Sequence, residues 1–199
     1  MQDFMHAFVM TFVPLFIVID AVGILTFVVK ACEGLSLNEQ RKVAHISVGT
    51  AAVVGLVFLF FGRLILNIMN ISVGSFAVAG GVILLVLSIR ELVTGQYIDV
   101  EREALTAIVP IGTPLLAGPA TITALLLLTN QYQFYIVVIS YLLNLLLAWV
   151  ILMGKDYILR FMGIGGVRAV SNVFNLLLAS IAVSMVLEGF NLIGIIKIG

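Results

Sequence analysis

Apolar residues in this chain gather in long continuous runs, not in the alternation of a half-buried strand or the single stripe of a surface helix. Six runs reach the roughly 20 residues that a helix needs to cross about 30 Å of hydrocarbon. They cover residues 4–29, 43–61, 67–89, 105–129, 134–153 and 170–196. An all-α membrane protein with six transmembrane helices is expected, and no polar stretch is long enough to build a soluble domain. Two of the runs are interrupted in the same way. The first runs from Pro14 to Asp20-Ala21-Val22-Gly23, and the second reads Gly112-Thr113-Pro114-Leu115-Leu116-Ala117-Gly118-Pro119-Ala120-Thr121. Paired, Gly/Pro-interrupted apolar segments in the two halves of a chain are a pointer to the binding site of a secondary transporter.

The halves match in other places too. Residues 76–85 and 170–179 register without a gap, as do Leu92-Val93-Thr94-Gly95 and Val186-Leu187-Glu188-Gly189, all at a spacing of 94 residues. An odd number of crossings per copy turns the second copy over. The expected architecture is therefore one transmembrane domain over residues 1–199, made of two inverted three-helix repeats (about 1–95 and 100–199), with helices 1 and 4 interrupted.

Composition and charge set the solvent and the orientation. The chain is 62% hydrophobic and 10% charged, with a mean hydropathy of +1.25, against about 25% charged residues in soluble domains. Zero net charge argues against a nucleic-acid partner. Residues 4–29 follow no positive n-region and outlast a signal-peptide core, so they read as a retained first span. Eight of the ten Lys and Arg residues fall in three loops: Lys30, Arg41 and Lys42; Arg90 and Arg102; Lys155, Arg160 and Arg168. Those loops are expected to be cytoplasmic in a multi-pass inner (plasma) membrane protein, with both termini outside. Tyr132, Phe134 and Tyr135 suit the outer aromatic belt, Trp149 and Tyr157 the inner one. No enzyme signature, metal-ligand spacing or nucleotide loop is present, and no cofactor is implied. The lone Cys32 reads as a small apolar residue near a helix end.

Each interruption has its own chemistry. Pro119 suits the first position of a new half-helix and Gly118 its cap, leaving the N–H groups of Ala120 and Thr121 toward the break. Such an N-terminus can hold a carboxylate, with the Thr121 hydroxyl as a further donor and Thr113 nearby. The alternative is a proline kink satisfied by neighbouring helices. Asp20 is the acidic residue deep within an expected span, where a charge is costly and usually functional. It can bind an ammonium group, a coupling ion or a proton, or it can cap a half-helix beginning at Ala21, and the two roles are compatible. Gly23 completes that break. Asn144, Asn172 and Asn175 are candidates to line the path or to bond between helices. His45, beside Arg41 and Lys42, is a weaker candidate for a proton relay. Ala77, Gly80, Gly81 and Leu84 read as a packing face.

The second interruption, Pro114-Leu115-Leu116-Ala117-Gly118-Pro119-Ala120-Thr121-Ile122, resembles the P-L-x-A-G-P-G-x-I signature of the MarC family. Asn70-Ile71-Ser72, Phe76, Ala79-Gly80-Gly81 and Leu178-Ala179-Ser180-Ile181-Ala182-Val183 with Gly189 are similar to its third and sixth spans. The chain departs where that family carries Asn-Pro-x-Gly, here Asp20-Ala21-Val22-Gly23, and around Asn172 and Asn175, where an Arg and a Gly are common. The resemblance implies a six-span bacterial or archaeal inner-membrane protein, related to small neutral amino acid transporters and within the LysE-type exporter grouping. A small neutral amino acid as substrate and a proton or sodium as coupling ion follow as expectations. A channel or a non-transporting scaffold is the alternative, and homo-oligomerisation stays open.

Overall fold

The computed structural model describes residues 2–32, 34–94 and 116–196 and forms seven helices from them, with no strand among the described residues. These are α1 (Gln2–Ile19), α2 (Ile24–Ala31), α3 (Leu37–Ile68), α4 (Val73–Thr94), α5 (Pro119–Gln131), α6 (Phe134–Met153) and α7 (Lys155–Ile193). Four of them, α3, α4, α6 and α7, are long and apolar enough to cross a membrane. The first expected run is divided into α1 and α2. The run expected over residues 105–129 is described only from Leu116, where it contributes α5.

Local chemistry moves several helix ends away from the apolar runs. Ser36 and Glu39 form a reciprocal capping box: the Ser36 N–H donates to Glu39 Oε2 at 2.8 Å, and the Glu39 N–H donates to Ser36 Oγ at 3.4 Å. That cap starts α3 in polar sequence, six residues ahead of the expected position 43. The same helix runs on to Ile68 and closes with Asn70 at φ 56, the Ile71 N–H reaching Leu66 O at 2.9 Å and the Asn70 N–H reaching Asn67 O at 3.0 Å. This is a Schellman closure, so the third run starts at Val73 and not at residue 67. The expected sixth run, from residue 170, belongs to a helix beginning at Lys155. It turns at Gly163, whose φ of 67 and ψ of 170 suit a residue without a Cβ.

The longest interface joins α4 and α7, which run antiparallel. A Cβ on Gly74 would meet Gly189 O at 2.8 Å, and one on Gly81 would meet Ala182 O at 2.7 Å, so the backbones touch at both levels. Small residues permit this approach where lipid gives helices no hydrophobic drive to associate. Gly81 faces α7 while its neighbour Gly80 faces Thr123 of α5, so the expected packing face divides between two partners.

Helix α5 lies in the interior, with every residue from Ala120 to Leu128 buried except the half-buried Ile122. A helix buried around its circumference carries no amphipathic signal. Polar ties bind α6 to its neighbours: Thr11 Oγ1 lies 2.7 Å from Ser140 Oγ, and the Tyr141 hydroxyl donates to Ala51 O at 2.7 Å. Basic side chains separate along the bundle axis. Arg41, Lys42, Arg90, Lys155, Arg160 and Arg168 gather toward the end where Trp149 Nε1 donates to His45 Nδ1 at 3.0 Å. Arg63 sits at the opposite end, donating to Thr129 O at 3.2 Å and to Asn130 Oδ1.

Candidate functional site

Pro14 lies inside α1 and does not end it, even though proline removes one ladder hydrogen bond. The break comes six residues later. Asp20 is 1% exposed and takes φ 43, a left-handed conformation that Asp and Asn tolerate better than other side chains. Its carboxylate accepts the Gly23 N–H at 3.1 Å. The ladder narrows without opening fully, since the Asp20 N–H still reaches Phe16 O at 3.3 Å and the Ile24 N–H reaches Asp20 O at 3.2 Å. A Cβ on Gly23 would stand 2.2 Å from Asp20 Oδ2, so the carboxylate occupies the space that glycine leaves. Regular helix resumes at Ile24, not at Ala21 as a cap at Asp20 alone would suggest. Asp20 caps a turn that leads into α2.

The helix start at the second motif is built differently. Gly118 is the N-cap of α5 in extended conformation, with Pro119 at the first helical position and no side-chain cap hydrogen bond. Gly118, Ala120 and Thr121 are buried, while Pro119 is exposed. The Thr121 hydroxyl donates to Leu116 O at 3.1 Å, so its hydrogen serves the chain just before the break. Donors for an anion at this N-terminus are consequently backbone N–H groups. Thr113 lies outside the described residues.

Depth can be read from the ties between α1 and α6, which run parallel. Phe4 stacks on Tyr135, and Asn144 Nδ2 donates to Phe12 O at 3.1 Å. Asp20 lies 16 residues past Phe4, about 24 Å along the helix. Gly118 lies 13 residues before Gln131, about 20 Å from the same end of the bundle. Asp20 and the start of α5 therefore sit at comparable depth along the bundle.

The chain matches the model of a family described as MarC family integral membrane protein over residues 5–193. It belongs to the MarC family. It is 30% identical over 197 residues to UPF0056 inner membrane protein YhgN of Escherichia coli, covering 94% of this chain and 98% of that one. It is similar at 29% over 194 residues to UPF0056 membrane protein MJ1677 of Methanocaldococcus jannaschii, covering 92% and 95%. UPF0056 membrane protein BU449 of Buchnera aphidicola is 30% identical over 196 residues, covering 93% and 96%. No solved structure matches the chain.

Within this MarC-family chain, the departure at Asp20 keeps the capping geometry that an Asn would also provide. The three asparagines separate. Asn144 is buried and bonds between helices through Nδ2, which also reaches Ser140 O at 2.9 Å, while its Oδ1 has no partner among the described residues. Asn175 is fully buried, and Asn172 is exposed. His45 Nδ1 receives the Trp149 indole N–H, which ties it to α6. Cys32 is buried, and burial pushes its thiol up, away from the reactive thiolate. Sequence reasoning missed two polar arrangements. Buried Lys155 donates to Gln40 Oε1 at 2.6 Å and to Asp156 Oδ1 at 2.9 Å, and Ser171 Oγ donates to Glu91 Oε1 at 3.0 Å. Glu91 fell just past the end of an expected span. Only the continuation of α4 to Thr94 brings it into the bundle.

Proposed function

We propose that the chain is a secondary transporter of a small solute, with a neutral amino acid as the substrate class and a proton or sodium as the driving ion. The supporting observation is that the buried break at Asp20 and the buried start of α5 lie at comparable depth. At one, α5 starts inside the apolar layer with a cap that brings no side-chain acceptor, which suits a substrate carboxylate. At the other, the Asp20 carboxylate offers negative charge to an ammonium group or an ion. Broken helices at membrane depth survive only against protein or a wet cavity, and transporters place substrates there. In this reading two three-helix units, about 1–95 and 100–199, rock against each other in inverted orientation. Their third members, α4 and α7, make the antiparallel contact through Gly74, Gly81, Ala182 and Gly189. The end rich in Arg and Lys faces the cytoplasm.

Purified protein in proteoliposomes, loaded with glycine or alanine and given an inward or outward ion gradient, provides the test. Saturable flux with counterflow is expected. Flux that never saturates would assign a pore instead. No flux of any amino acid, with or without a gradient, would remove the substrate class and favour a scaffold.

A further inference from the structure

We propose that Glu91, Ser171 and Asn175 form a site for a small monovalent cation of the sodium type, between α4 and α7. As the source of the driving ion this rests on the transport reading; as a binding site it stands on its own geometry. Ser171 and Asn175 are one turn apart on the buried stripe of α7, 4% and 0% exposed. The Ser171 hydroxyl donates to Glu91 Oε1 at 3.0 Å. Asn175 engages the same carboxyl through its carboxamide N–H, while its Oδ1 has no hydrogen-bond partner among the described residues. An orphaned oxygen on a fully buried side chain is rare in folded proteins and marks a missing partner.

The chemistry of the missing partner follows from the donor set. A carboxylate, a hydroxyl and a carboxamide oxygen are hard oxygen ligands, and one negative charge balances one monovalent cation. A sodium ion would turn the Ser171 hydrogen away, take oxygen from all three side chains, and leave Asn175 Nδ2 to donate to the second Glu91 oxygen. The register that pairs Gly74 with Gly189 and Gly81 with Ala182 sets Ser88 opposite Asn175. Ser88 is buried and donates to Leu84 O at 2.8 Å, so its lone pairs are a fourth oxygen at this level. Glu91 is half-buried, which opens the site toward the basic end, while the nearby Arg90 and Arg168 are exposed.

Place in the bundle links the site to the first break. Phe16 of α1 packs edge-on against Phe174, next to Asn175, with ring centroids 5.6 Å apart. Asp20 is one turn beyond Phe16, as Ser171 is one turn beyond Asn175 toward the same end. An ion at Glu91 therefore lies at the depth where the first span is interrupted.

The test uses purified full-length protein without amino acid, in sodium, potassium or choline chloride at constant ionic strength. Sodium is expected to raise the melting temperature by about 5 °C or more at 100-fold excess over its Kd. Equilibrium dialysis with radioactive sodium should give one ion per chain. Glu91→Gln keeps the size of the side chain and should abolish both signals, and Asn175→Leu should weaken binding at least tenfold. Absence of a sodium-specific shift in the wild type overturns the site, as does an unchanged shift in Glu91→Gln. Loss of the shift in Asp20→Asn with retention in Glu91→Gln places the ion at the first break and also overturns it. Amino acid flux without sodium binding overturns this site and keeps the transport reading, whereas sodium binding without flux does the reverse.

Discussion

The break at Asp20 and the start of α5 at Pro119 share a depth and differ in how they satisfy their own backbone. At the first, Asp20 adopts a left-handed turn and supplies the acceptor for Gly23, so the break closes on itself. At the second, Gly118 is extended, Pro119 removes one orphan donor, and no side chain among the described residues caps α5. A self-capped break carries an acceptor of its own. A helix N-terminus capped by glycine presents backbone N–H groups of the kind that bind anions. Similar sequence punctuation thus gives two elements with different local chemistry.

The sharpest way to break this comparison is to crowd each element. Gly23→Ala should cost about 1–3 kcal/mol, because its Cβ falls on the Asp20 carboxylate and overpacked sites must distort. Thermal unfolding in detergent measures it, and adding Asp20→Ala should recover part of the loss, giving a coupling that independent sites would lack. Next comes Gly118→Leu, which the extended backbone tolerates but which fills the space before α5. Reconstituted flux should fall at least tenfold while the unfolding midpoint moves by less than for Gly23→Ala. Equal destabilisation by both variants would erase the distinction between the breaks.

Smaller effects separate capping from charge at Asp20. Asp20→Ala should cost about 1 kcal/mol through loss of the cap. Asp20→Asn retains an acceptor for Gly23 and should stay within about 0.5 kcal/mol of wild type. If ion dependence of flux changes in Asp20→Asn at that near-native stability, Asp20 carries charge as well as a cap. The smallest expected change is for Thr121→Val, about 1 kcal/mol for the hydroxyl bond to Leu116 O. Its substrate affinity should hold if backbone N–H groups alone receive the carboxylate, and a marked loss would return the hydroxyl to the site.

Much of the architecture was legible because apolar runs in a bilayer leave few alternatives. The fifth run coincides with α6, Phe134–Met153, since Gly154 and the turn before Phe134 bound it on both sides. The Gly118-Pro119 start of α5 was readable because proline at N1 has a local cause. Ends set by polar caps, such as Ser36 with Glu39, were legible only as motifs that hydropathy outvoted. The first break was read at the right residues but with the half-helix starting too early, because the Asp20-to-Gly23 bond spans a full turn.

Sequence by itself determined that the chain lives in a membrane, that its first span is interrupted at Asp20, that a helix starts at Pro119, and which end collects the basic residues. These follow from transfer free energy and backbone sterics, which act on each segment separately. Tertiary structure alone decided which polar side chains meet. Ser140 finds Thr11, Tyr141 finds Ala51, and Glu91 finds Ser171 across 80 residues of chain. It also separated exposed Asn172 from buried Asn175, three positions apart on one helix. Such pairings depend on helix rotation and register, which no local pattern encodes and which, for Glu91 and Ser171, the close glycine contacts between α4 and α7 set.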